Sequence, residues 1–128
     1  MLGWVKNIEK DTLKNKNFRE VVFTGKHAQL VLMSLLPGEE IGWESHAKVD
    51  QFFRLEQGKV RLDLGTKMGV AKESHEAKNA WAFVVPAGTF HNVTNIGKEP
   101  VRLYTVYSPP NHPANRVQKT KAEADAAE

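Results

Sequence analysis

Apolar and polar positions alternate along this chain in short runs broken by glycine and proline, the rhythm of strands and turns rather than of long helices. Residues 28–36, AQLVLMSLL, are almost wholly apolar and suit a strand buried on both sides. Length alone also permits a helix there. Gly25 before the run and Pro37-Gly38 after it favour a strand, preceded by another at 20–24 across a turn at Gly25-Lys26. Residues 50–57 and 59–64 read as a hairpin around Gly58. Gln51, Phe53, Leu55 and Gln57 share one face of the first strand, and Asp50, Phe52, Arg54 and Glu56 share the other. In the second, Val60, Leu62 and Leu64 alternate with Lys59, Arg61 and Asp63. Strands at 81–85, 91–95 and 99–107 follow, and in the last Val101, Leu103, Thr105 and Tyr107 share a face. Residues 65–79 are polar without sustained periodicity, which predicts the longest loop, with at most one helical turn in AKESHEAKN. Residues 1–19 predict an arm with a short helical turn near 9–14. Beyond the prolines at 109, 110 and 113, an extended crossing should lead to a frayed helix or disorder.

Seven or eight short strands with regular turns predict an all-β barrel or sandwich, and 128 residues fit one domain with one core. Lysines and arginines outnumber acids by a net +3. They are scattered rather than gathered into a stripe with interleaved aromatics, so no nucleic-acid partner is expected. Without cysteine, disulfides and thiolate ligands are excluded. No apolar run approaches membrane-spanning length, and MLGWVKNIEKDTL lacks the apolar core of a signal peptide. A cytoplasmic protein with no membrane partner is the expectation.

The candidate chemistry lies between Pro37 and Gly58. In extended chain, Glu44 and His46 project from one face and can converge on one point. Strand parity turns Gln51 inward with Phe53 and Leu55 and turns Asp50 out, although Asp50 is the stronger ligand type. A buried amide and carboxylate need partners, and a cation between Glu44, His46 and Gln51 would be one. His91, in PAGTFHNVTN, is a fourth donor.

These two stretches resemble the paired motifs of the cupins. The first, Gly-x5-His-x-His-x3,4-Glu-x6-Gly, is met by Gly38, Glu44, His46, Gln51 and Gly58. The second, Gly-x5-Pro-x-Gly-x2-His-x3-Asn, is met by Pro86, Gly88, His91 and Asn95. Glu44 stands in place of the first histidine, Gln51 in place of the glutamate and Ala80 in place of the second motif's opening glycine. The resemblance covers residues 38–95 and implies the cupin double-stranded β-helix, a small jelly-roll barrel, with its core at about 20–108 and the arm and the 109–128 tail outside it. It also implies a mononuclear metal site at Glu44, His46, Gln51 and His91 for one divalent ion of iron, manganese, zinc or nickel. The plainer alternative is a set of hydrogen-bonded polar residues at a barrel mouth.

Proteins of this resemblance act on small polar molecules as oxygenases, isomerases, decarboxylases and lyases, or only bind them. A metal-dependent dioxygenase, isomerase or lyase and a binding module without turnover both fit. Catalytic residues cannot be assigned from the sequence. Phe53 and one of Tyr104 and Tyr107, taken as Tyr107, are expected to line the pocket, and Trp43 its rim. His27, His75 and His112 are expected at the surface. Val31, Met33 and Leu35 oppose Leu30, Leu32 and Leu36 across one strand, so one set needs cover. A homodimer clasped by the arm is the expected source.

Overall fold

The computed structural model describes residues 2–127. In chain order the elements are α1 (Ile8–Lys14), β1 (Arg19–Thr24), β2 (Gln29–Leu35), β3 (Asp50–Gln57), β4 (Lys59–Gly65), β5 (Glu73–Lys78), β6 (Ala82–Val85), β7 (Phe90–Asn95), β8 (Val101–Ser108), β9 (Val117–Gln118) and α2 (Lys121–Ala126). One sheet runs β6-β3-β8-β2-β1-β9 and the other β5-β4-β7, antiparallel at every pairing. This is the expected all-β jelly roll, with inward-facing residues of both sheets forming one core.

The core is layered. In the large sheet Gln51, Tyr107 and Gln29 sit side by side across β3, β8 and β2. The next inward row is Phe53, Thr105 and Val31, and the one after it Leu55, Leu103 and Met33. One end of the barrel is therefore polar and the rest mostly apolar, with Thr105 and Arg19, which stands opposite Met33, as buried polar exceptions. Val31, Met33 and Leu35 are 0% exposed within the single chain. On the opposite face of β2, Leu32 is also buried and borders the same hollow as Asp11 and Lys14 of α1. Arg102 of β8 donates to the carbonyls of Leu13 and Asn15 and fastens the end of α1 to the outer face. Asn7 caps α1 by accepting from the Lys10 amide. Val31, Met33 and Leu35 are thus covered within one chain and Leu32 is covered beside its own arm, while Leu30 is half-buried and Leu36 exposed, so the need for a partner to cover Val31, Met33 and Leu35 falls.

Three expectations are corrected. First, β3 and β4 do not form a hairpin: they enter different sheets, with Gly58 at the corner. A single residue is too short for any hairpin loop, the tightest of which has two. Gly58 instead takes φ +99° and lies so close to β8 that an added Cβ would stand 2.9 Å from the Val101 side chain and 3.1 Å from its Cα. Second, residues 73–78 are the edge strand β5 rather than loop or helical turn. Only Ala77 of β5 is buried, so the strand carries no apolar alternation. Its charged residues suit an exposed sheet edge.

Third, the tail is docked. β9 pairs with β1, and Thr120 caps α2 by accepting from the Glu123 amide. Ala124 of α2 is buried. Small apolar area and a short cap hold this helix, a signal too weak to separate from fraying in an alanine- and charge-rich sequence.

Replacing Gly58 by alanine should destabilise the fold by about 1–3 kcal/mol, through the left-handed backbone and the contact with Val101. Urea unfolding reads this directly, and a midpoint equal to that of the parent chain would contradict it.

Candidate metal centre

Residues 38–44 run beside β7 without forming a regular strand. The Ile41 amide donates to Val93, and Asn95 donates back to Glu39. Glu44 and His91 exchange both backbone hydrogen bonds, at 3.0 and 2.9 Å. In such a pair the two Cα atoms stand ~5.5 Å apart, close enough for the side chains to meet. The Gly88 amide donates to the His46 carbonyl at 2.8 Å, tying the Pro86-Ala87-Gly88 turn to the first motif. Asp50 accepts from the Ala87 amide in that same turn. It is therefore occupied outside the barrel, as its parity required, while Gln51 is 1% exposed.

Glu44, His46 and His91 come together, each offering a ligand atom within 4.8 Å of the other two. Glu44 Oε1 stands 3.4 Å from His46 Nε2 and 3.4 Å from His91 Nε2. That is long for a hydrogen bond. It matches the roughly 3.4 Å between two donors of one tetrahedral ion bound at about 2.0–2.2 Å. Those three atoms and Gln51 Oε1 are all buried without a hydrogen-bond partner. The donor set is chemically suited to a divalent transition ion, since imidazole and carboxylate are shared by zinc, iron and manganese sites.

His91 Nδ1 lies 3.1 Å from the Thr89 carbonyl. A carbonyl only accepts, so Nδ1 carries a proton, and Nε2 is the atom turned toward Glu44 and His46, with a free lone pair in the neutral tautomer. This is the orienting contact that metal-binding histidines commonly make. Burial alone would raise the Glu44 pKa. The imidazoles of His46 and His91, where they carry a proton toward the carboxylate, outweigh burial and hold it at about 2.

Aromatic residues surround the cluster. The Tyr107 ring meets His46 edge-on at 5.8 Å, and the Phe53 ring meets His91 edge-on at 6.3 Å. Both expected lining residues therefore adjoin the site. Tyr104 is on the outer face, 6.3 Å from Phe52. Burial, then the Glu44 charge, pushes the Tyr107 hydroxyl up. His27 and His75 are exposed, as expected.

His112 is not a surface residue. The tail folds over the polar end of the barrel, with His112 Nε2 3.1 Å from the Tyr107 hydroxyl and the two rings edge to face at 5.0 Å. Gln29 holds it there, accepting from the amides of Asn111 and His112 and donating to the His112 carbonyl at 2.7 Å. Gln29 and Arg19 escaped the sequence reading, although each continues the inward parity of its strand, Gln29 with Val31 and Arg19 with Val21. Gln118, which accepts from Arg19 at 2.7 Å, lies in a stretch with no periodicity to reveal it.

A family model described as "Cupin domain" matches residues 31–107, more than half of the chain. The chain belongs to the cupin family. This cupin is 48% identical over 125 residues to the uncharacterized protein YrkC of Bacillus subtilis, covering 98% of the chain and 67% of that protein. It is 36% identical over 122 residues to the uncharacterized protein L612 of Acanthamoeba polyphaga mimivirus, covering 94% of the chain and 74% of its relative. The crystal structure of BH2720 from Bacillus halodurans superposes with a TM-score of 0.94 at 43% identity, over 96% of this cupin and 93% of that chain.

Burial, followed by the Arg19 charge, lowers the His112 pKa to about 4. An unfolded histidine titrates near 6.5, so between these values the unfolded chain binds the extra proton. Stability should therefore fall as pH drops from about 6.5 to 4 and level off below. In thermal melts across this range, His112→Gln should flatten that slope. An unchanged slope in the variant would contradict the burial of His112.

Proposed function

We propose that this cupin holds one divalent transition ion with Glu44, His46, Gln51 and His91 and uses it to bind a small polar molecule inside the barrel. The observation that carries the reading is the set of four buried donor atoms left without hydrogen bonds. Orphaned buried polar atoms cost about 1–3 kcal/mol each, and a cation held by the converging Glu44, His46 and His91, with Gln51 as its fourth ligand, would satisfy them together. A bound ion would supply Lewis acidity at open coordination positions. The chain's own contributions are orientation and exclusion of water. Thr89 sets the His91 tautomer, Thr105 orients the Gln51 amide by accepting from Nε2 at 3.0 Å, and Phe53 and Tyr107 wall the site.

Metal-dependent oxygenase, isomerase or lyase chemistry suits this arrangement. A binding module without turnover is the second reading, and the state of Glu44 favours it. A carboxylate held at about 2 is a good anionic ligand and a weak general base.

Purified protein should carry close to one transition ion per chain by elemental analysis. His46→Ala and His91→Ala should each abolish retention through dialysis against chelator, and His75→Ala should not. Gln51→Leu should keep the fold and weaken retention. Protein that neither carries metal nor takes up added zinc, manganese, nickel or iron would end this reading. Oxygen uptake and a substrate screen on the loaded protein separate enzyme from binder.

A further inference from the structure

Arg19 begins β1, is 4% exposed, and lies on the inward face with Val21. Its Nη1 donates to the Gln118 side-chain oxygen at 2.7 Å, and its guanidinium carbon lies 5.2 Å from the centre of the Phe18 ring. Its Nε is buried with no partner. Among the described residues no carboxylate oxygen comes within 4.0 Å of the guanidinium. A charge this deep is ordinarily paired, because desolvation costs several kcal/mol. Here the partner is a neutral amide, which offers one oxygen where a carboxylate would offer two in the plane of the fork.

The location matters as much as the burial. By strand register Arg19 stands opposite Met33, below the Gln29 row, and its inward side chain carries its charge toward Tyr107 and His112, the pair that closes the polar end of the barrel. Tyr107 in turn borders His46. With a divalent ion at the site, Glu44 cancels only part of the ion's charge, and Arg19 makes the interior more positive still. An anionic guest resolves both the unpaired guanidinium and this excess.

We propose that Arg19 is the anion-recognition residue of the barrel interior and that the molecule bound there is a small carboxylate. The acid group pairs with the guanidinium in place of the Gln118 amide, and the remainder of the molecule extends toward Tyr107 and the histidines. This inference rests on the reading of the barrel interior as the ligand site. It adds the chemical class of the ligand and a residue outside the donor set.

The test uses full-length protein as purified, its metal content measured beforehand. Acetate, lactate, pyruvate, malonate and glutarate are each compared with the corresponding neutral amide by thermal shift and calorimetry. At least one acid should bind while its amide does not. Arg19→Met should weaken that acid's binding about ten- to hundredfold, the range of a charge-assisted pair. It should leave metal content unchanged and raise or preserve the melting temperature without ligand, as removal of an unpaired buried charge does. Equal binding of acids and amides, or equal acid binding by parent and Arg19→Met, would overturn the proposal. Should Arg19→Met fail to fold, Arg19→Lys keeps the charge without the fork and should bind the acid about tenfold more weakly. Undiminished binding there overturns the proposal as well. Metal present without acid preference sinks this inference alone. Acid preference in protein that takes up no metal keeps it and sinks the metal reading.

Discussion

Everything at the polar end of the barrel depends on one backbone splice, the reciprocal hydrogen bonds between Glu44 and His91. Residues 38–46 have no regular strand of their own and borrow their shape from β7. The borrowed geometry brings a carboxylate and an imidazole from distant parts of the sequence to neighbouring positions. The bond from Gly88 to His46 repeats the device two residues on. Donor placement is thus written into main-chain hydrogen bonds, which hold whether or not anything is bound. Such a site is preorganised, so little ordering of these side chains opposes binding.

What the sequence disclosed follows from which physical signals are local. Parity on 50–57 placed Gln51 inside and Asp50 outside against the chemical preference for aspartate, and the Asp50 contact with Ala87 agrees. The same parity applied to β1 and β2 would have found Arg19 and Gln29. Arg19 was lost because the strand was begun one residue late. The division of β3 and β4 between two sheets is a long-range fact, hinted at only by the length of the link at Gly58. β5 was illegible because an edge strand with one buried alanine carries no apolar alternation. His112 was misplaced because its burial depends on Gln29, 83 positions away in the chain.

The layering explains how one small domain tolerates so many buried polar atoms. Below the row of Gln51, Tyr107 and Gln29 the inward positions are mostly apolar, and Val31, Met33, Leu35, Leu55 and Leu103 are all 0% exposed. Each contributes on the order of 1.5–3 kcal/mol by burial. The fully buried aliphatic side chains lie below that row and the four partnerless donors of the two motifs gather at and above it, the division of labour expected when a site breaks local rules that most of the fold obeys.

The two glutamines that flank Tyr107 make the strongest internal comparison. Gln29 and Gln51 share a residue type, a row and near-complete burial. Gln29 uses its whole amide: the nitrogen donates to Thr24 and to the His112 carbonyl, and the oxygen accepts from two tail amides. Gln51 donates to Thr105, yet its oxygen accepts nothing. The fold can therefore satisfy a buried amide fully in this row, and it does so on the side where the tail crosses. On the other side the unused oxygen belongs to the same set of partnerless atoms as Glu44 Oε1 and the two imidazole nitrogens. The other buried side-chain atoms without a hydrogen-bond partner among the described residues, on Thr12, Arg19, Arg54, Thr94 and Arg102, are scattered through the chain. Four in the two motifs, all of them lone-pair donors, are held near one another by main-chain bonds and by Thr105.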